Sequence, residues 1–187
     1  MGLFKRYPFG HILFLKTWLI RIAGFLTHRR YRHFNQLQIE GSEIIRSLPD
    51  KNVLFISNHQ TYFADVVAMF HVFNAALKGR ENNIKNVMYL WNPKLNMYYV
   101  AAKETMQEGI LPRILAYAGA ITVERTWRAK GKDVTEKKEV NPNDTENIKI
   151  ALEDGWVITF PQGTTRSFKP VRKGTAHIIL QHKPIVV

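Results

Sequence analysis

Cysteine is absent from all 187 residues, so the chain builds no disulfide, no thiolate metal site and no cysteine nucleophile. Acidic side chains are missing from residues 1–39, which carry Lys5, Arg6, Lys16, Arg21, Arg29, Arg30 and Arg32 instead. Those cations are more than half of a formal net charge of +12, so the basic excess belongs to the N-terminal segment. Long uncharged apolar runs are lacking too. The most hydrophobic stretch, FGHILFLKTWLIRIAGFL, is interrupted by Lys16 and Arg21, which leaves no window of the roughly 18 to 20 apolar residues a spanning helix needs. No small-residue cleavage site follows it, which argues against a cleaved signal peptide. Internal repeats and low-complexity tracts are not evident.

What is present is a dense mixture of cationic and apolar groups over residues 9–33. Such a mixture fits a helix lying in the headgroup region of a membrane, with Lys16 and Arg21 snorkelling and Trp18 at the interface. The cluster HRRYRH, residues 28–33, would then face anionic phosphates. The alternative is a helix buried against the rest of the protein with its charges outward. A pI near 10.0 and an arginine cluster are also the footprint of a nucleic-acid binder. Here the cations are interleaved with Leu, Ile, Phe and Trp, which favours lipid, and no nucleic-acid partner is expected.

With 45% hydrophobic residues the chain is long enough for one domain with a full core. It divides into a basic membrane-associating segment, 1–34, and a domain over 35–187. FNQLQIEG reads as a short strand, and SEIIRSLPDK as a short helix or turn. NVLFISN is a buried strand, TYFADVVAMFHVFNAAL a helix, and NVMYL a second strand. From NPKLNMYY to ILAYAG the pattern reads as helix and loop. AITVER is a third strand, and the charged stretch 128–144 a solvated loop. NDTENIKIALEDG is a helix with Asn143 as its N-cap and Gly155 as its stop. WVITF, GTAHIILQH and PIVV follow as strand, helix and strand. The expected fold is α/β, a mixed, largely parallel sheet flanked by helices.

In such sheets ligands bind outside the carboxyl ends of the strands. Two polar stretches occupy that position, SNHQTYFAD after VLFI and PQGTTRS after WVITF. An imidazole takes a proton from a hydroxyl near neutral pH, and does so best when a carboxylate holds its other nitrogen. His59 and Asp65 have the chemistry for such a dyad. Read singly, each has a plainer role: a histidine after a strand as a structural hydrogen-bonder, an aspartate as a helix-start residue. No activated protein nucleophile accompanies them, which points to direct transfer from a substrate hydroxyl or amine. The second stretch supplies Gly163, the hydroxyls of Thr164 and Thr165, and the cations Arg166, Lys169, Arg172 and Lys173. Backbone N–H groups with Arg and Lys are the usual grip on an anionic headgroup.

SNHQTYFAD, GAITVERT, FPQGTTRSFKPVRKGTA and KPIVV, preceded by IEGSE, resemble the four successive blocks of the glycerolipid acyltransferase family, whose best-known members are lysophosphatidic acid acyltransferases. The resemblance runs from about residue 39 to 187. It implies His59 as base and Asp65 as its orienter, with Arg125, Gln162, Gly163, Thr164, Thr165 and Arg166 at the acceptor. It also implies acyl-CoA or acyl carrier protein as donor, no bound cofactor and no metal. The implied reaction moves a fatty acyl group from a thioester to a hydroxyl of a lyso-phospholipid such as 1-acyl-glycerol-3-phosphate, at the cytoplasmic face of the membrane. Alternatives are O-acylation of a lyso-aminolipid and a non-catalytic lipid-surface module. The family's first block has four residues between His and Asp, where this chain has five. Its third block has Glu where Gln162 stands, and one threonine where Thr164 and Thr165 stand, so a reshaped headgroup pocket is expected. The chain stops within the fourth block, which reads as a truncation at the C-terminus.

Overall fold

The computed structural model describes residues 8–107, 109–124, 128–129, 132–133, 141–166 and 168–187. They form two compact units. One gathers Met1–Asp50, Asn58–Leu95 and Gln162–Pro170, and the other Lys51–Ser57, Asn96–Pro161 and Val171–Val187.

The second unit holds a five-stranded sheet. Its strands are β1 (Val53–Ile56), β2 (Met97–Ala102), β3 (Ala120–Val123), β6 (Trp156–Thr159) and β7 (Ile185–Val186), in the order β3-β2-β6-β1-β7. Every pairing within it is parallel. Parallel neighbours need crossover connections. Here α3 (Lys103–Gln107) and α4 (Ile110–Ala116) lie between β2 and β3, α5 (Pro142–Asp154) precedes β6, and α6 (Gly174–His182) precedes β7. Among the described residues, antiparallel pairing is confined to β4 (Arg128–Ala129) with β5 (Lys132–Asp133), inside the stretch expected to be loop. The centre of the sheet is dry: Val53, Leu54, Trp156, Val157, Ile158 and Met97 are all buried, each worth on the order of 1.5–3 kcal/mol of transfer free energy.

Strand β2 falls where helix and loop were expected. Its tyrosines have polar ends, yet Tyr98 and Tyr99 are buried because their hydroxyls find acceptors in the Asp154 carboxylate (2.5 Å) and the Leu115 carbonyl (2.8 Å). Conversely, NVMYL is not a strand. Asn86 Oδ1 accepts from the Met88 N–H at 3.0 Å and winds Val87–Leu90 into a 3₁₀ turn. FNQLQIEG is not a strand either. The amides of Asn35 and Leu37 bond back to Arg30 and Tyr31, extending the π-helical turn Arg30–Phe34, and Gln36 and Gly41 both have positive φ. The N-cap of α5 is Asn141 rather than Asn143. Its side chain accepts from the Asn143 N–H, and Pro142 occupies the first helical position, where a missing N–H costs nothing.

In the first unit, α1 (Leu13–Arg29) continues into the π-helical turn, and α2 (Ala64–Leu77) packs against α1, against Val87–Leu90 and against the 3₁₀ turn Ser42–Ser47. The orientation of α1 corrects the expected snorkelling. Lys16 is fully buried, along with Ile20 and Gly24, while Phe14, Leu15, Trp18, Ile22, Phe25 and Leu26 are exposed. The Arg21 side chain donates to the Trp91 carbonyl instead of reaching outward. The apolar stripe, spaced at helical intervals, is therefore the outer face. Among the described residues no helix is long and apolar enough to cross a membrane.

Candidate active site

His59 lies three residues beyond β1, in the turn that leads into α2. Asp65 is in the first turn of that helix, where a carboxylate suits the helix dipole. His59 Nδ1 and Asp65 Oδ2 are 2.9 Å apart. A carboxylate only accepts, so Nδ1 carries the proton and the lone pair of the neutral ring is on Nε2.

The carboxylate is held from several directions. Oδ2 also accepts from the backbone N–H groups of Gln60 (2.8 Å) and Thr61 (2.9 Å), and Oδ1 accepts from the Thr61 hydroxyl (2.8 Å). In return Thr61 Oγ1 accepts from the Asp65 N–H at 3.1 Å. Partial burial alone would raise Asp65, but the hydrogen bonds from Thr61, Gln60 and His59 outweigh it and hold the carboxyl below its usual value. Asp65 is thus a fixed anion, able to orient the imidazole and to stabilise the imidazolium formed when Nε2 takes a proton. The extra residue between His59 and Asp65 does not break the pair. Thr61, unremarked in the sequence, is what ties the longer turn to the helix.

The other polar stretch sits in the same compact unit. Gln162–Pro170 groups with Asn58–Leu95, although residues 96–161 lie between them in sequence. Gly163 has φ of +62°, a left-handed conformation that glycine adopts without a Cβ clash. Gln162 Nε2 donates to the Lys169 carbonyl at 2.9 Å, which closes the loop. Thr164 Oγ1 accepts from the Arg166 N–H at 3.3 Å, and the Arg166 residue is exposed. Thr165 is half-buried. The structure therefore brings His59 and Asp65 into contact and gathers Gln162, Gly163, Thr164, Thr165 and Arg166 into their unit. Arg125 lies outside the described residues. Its neighbour Glu124 is held by Lys103 at 3.0 Å and, through its N–H, by Asp144 at 2.7 Å.

One titratable group escaped the sequence reading. His71, in the middle of α2, is 1% exposed, with Nε2 2.9 Å from Thr27 Oγ1 and Nδ1 2.7 Å from the Tyr89 hydroxyl. Burial, with a smaller push from His28, lowers it to about 4. It is neutral near pH 7 and joins α1, α2 and the Val87–Leu90 turn. Among the described residues no group of three or more His, Asp or Glu could hold a metal ion.

A family model described as Acyltransferase matches residues 36–187. No curated protein and no solved structure matches the chain.

Proposed function

The chain belongs to the Acyltransferase family and transfers acyl groups, and on that premise we propose that its acceptor is the hydroxyl of a lyso-phospholipid such as 1-acyl-glycerol-3-phosphate and its donor a thioester of CoA or acyl carrier protein. The observation that carries the reading is the 2.9 Å bond between His59 Nδ1 and Asp65 Oδ2, in one unit with a glycine turn bearing Arg166. His59 Nε2 takes the proton of the acceptor hydroxyl as its oxygen attacks the thioester carbonyl. Asp65 stabilises the imidazolium. The tetrahedral intermediate collapses, the C–S bond breaks, and the imidazolium returns the proton to the departing thiolate. Ester and free thiol are the products. Gly163, Thr164, Thr165 and Arg166 hold the acceptor's anionic headgroup, with Arg125 as a further contact.

The substrate reaches this site from a membrane surface. The outward apolar face of α1 lies shallowly in the cytoplasmic leaflet, and exposed Arg29 and Arg30 meet its anionic headgroups. Gln162 removes a carboxylate from the headgroup turn, which widens the choice of acceptor to a lyso-aminolipid bearing its own carboxylate. The test is an assay of the purified chain with labelled acyl-CoA and acyl carrier protein against lyso-phospholipids and lyso-aminolipids. Acyl transfer to a lyso-phospholipid, lost on removal of its phosphate, is the expected result. Transfer to an acceptor with no anionic headgroup would overturn the reading.

A further inference from the structure

Residues 84–91 run as a strap alongside α1, antiparallel to it. At one end Arg21 Nε donates to the Trp91 carbonyl at 3.0 Å. Next, Gly24 faces Leu90 so closely that a Cβ there would fall 2.1 Å from Leu90 Cδ1. Farther along, the His28 ring donates through Nε2 to the Ile84 carbonyl at 2.6 Å, and Arg32 donates to the Lys85 carbonyl. The strap is therefore seated on the helix along its length. Its inward residues, Ile84, Tyr89 and Leu90, are buried, whereas Met88 and Trp91 are 56% and 64% exposed.

The junction has a chemistry of its own. The Arg21 guanidinium lies 5.2 Å from the Trp18 ring centroid and 4.8 Å from that of Trp91, so one cation is held by two exposed indoles. Indoles with arginine are the side chains that settle at the boundary between headgroups and acyl chains, apolar body inward and polar edge in the wet layer. Neither residues 1–39 nor the strap 84–91 contains an acid.

We propose that the strap shares the bilayer contact with α1: Met88 and Trp91 enter the headgroup boundary beside Trp18, and Arg21, clasped between the indoles, fixes the depth. The occupant is a leaflet containing anionic phospholipid. The inference rests on the membrane reading of α1 and extends it to a segment more than fifty residues away in sequence. It also gives the burial of Lys16 a consequence: with that cation turned inward, the outer face around Trp18 is left apolar, and positive charge at the boundary comes from Arg21 and from Lys85, Arg29 and Arg30.

The test uses the full chain with Trp18→Phe and Trp127→Phe, which leaves Trp91 and the buried Trp156 as fluorophores. Vesicles of phosphatidylcholine and phosphatidylglycerol carry bromines at either the headgroup end or the methyl end of their acyl chains. Trp91 emission should shift to the blue and be quenched more by the shallow bromines than by the deep ones. A companion form, Trp91→Phe and Trp127→Phe, reports Trp18 in the same way. Quenching of Trp18 without Trp91 overturns the strap inference and leaves the membrane reading standing. Quenching of neither overturns both. A second measurement needs no fluorescence: Met88→Ser with Trp91→Ser should lower the vesicle partition coefficient by roughly tenfold, and an unchanged coefficient in the folded variant also overturns the proposal.

Discussion

The turn leading into α2 and the middle of that helix each present a histidine, and the two are built in opposite ways. The His59 side chain is 16% exposed and bonded to a carboxylate. His71 is sealed in, and both of its nitrogens meet neutral hydroxyls. A carboxylate stabilises an imidazolium, while two hydroxyls in dry surroundings do not offset the cost of burying that charge. Proximity to the helix therefore says little about chemistry. What decides is the charge of the partner and access to the substrate.

Exchanging the losses at the two positions is the most direct way to break this comparison. His59→Ala should lower kcat by roughly 10²-fold or more, the range for loss of a positioned base, with little change in Tm. Asp65→Asn should come close to it. An amide oxygen can still receive the Gln60 and Thr61 N–H groups and the His59 proton, but the charge that stabilises the imidazolium is gone. Steady-state turnover and a melting curve on each variant check both, and near-native turnover in His59→Ala removes the base assignment.

His71 should register in stability instead. Its folded value near 4 lies below the ordinary 6.5, so the neutral ring's contribution is fully present above pH 6.5. It is lost as pH falls from there toward 4, because the unfolded chain takes up the proton first. The span amounts to about 3 kcal/mol at most. Urea unfolding at several pH values should show this slope in the native chain, and a shallower one in His71→Gln, with kcat at pH 7 nearly unchanged. An identical slope in the variant would place the acid sensitivity elsewhere.

If proton transfer is confined to the first turn, the turn around Arg166 should affect binding alone. Arg166→Ala should raise the KM of the anionic acceptor by roughly tenfold, the scale of a lost charged hydrogen bond, and leave that of the thioester donor in place. A rise in donor KM instead would move this turn to the carrier side of the site.

The contrast between the histidines was only half visible in the sequence. His59 and Asp65 are six residues apart, and their pairing is the local business of one turn entering a helix. The runs VLFI, AITV, WVIT and PIVV were legible as strands for the same reason: apolar, β-branched and bounded by turn residues. His71 depends on Thr27 and Tyr89, 44 and 18 residues away, and no local pattern announces such partners. β2 was missed because its tyrosines are buried only by virtue of distant acceptors in Asp154 and Leu115. The mixture of cationic and apolar residues did mark α1 as a helix. It could not show which face turns inward, and Lys16 went in while Phe25 and Leu26 stayed out.

Thr61 offers the finest probe of what separates the two histidines, because it acts on the carboxylate rather than on the ring. Its hydroxyl donates to Asp65 Oδ1 and accepts from the Asp65 N–H, while the two backbone donors to Oδ2 do not depend on its side chain. Thr61→Ala should therefore leave the His59 contact in place but loosen the anion behind it, lowering kcat by roughly fivefold, less than the full worth of a hydrogen bond to a charged group because the backbone donors to Oδ2 remain. Thr61→Ser restores the same hydroxyl and should restore the rate. A titration of the Asp65 carboxyl, followed by its carbon-13 NMR shift, separates this from mere loosening of the fold. The Thr61 hydroxyl is one of the bonds that hold Asp65 below its usual value, so its removal raises the carboxyl. The titration midpoint should move upward in the alanine variant and return in the serine one. Should the midpoint stay where it is while kcat falls, Thr61 would be a packing residue, and the hold on Asp65 would rest on the backbone donors of Gln60 and Thr61 and on His59.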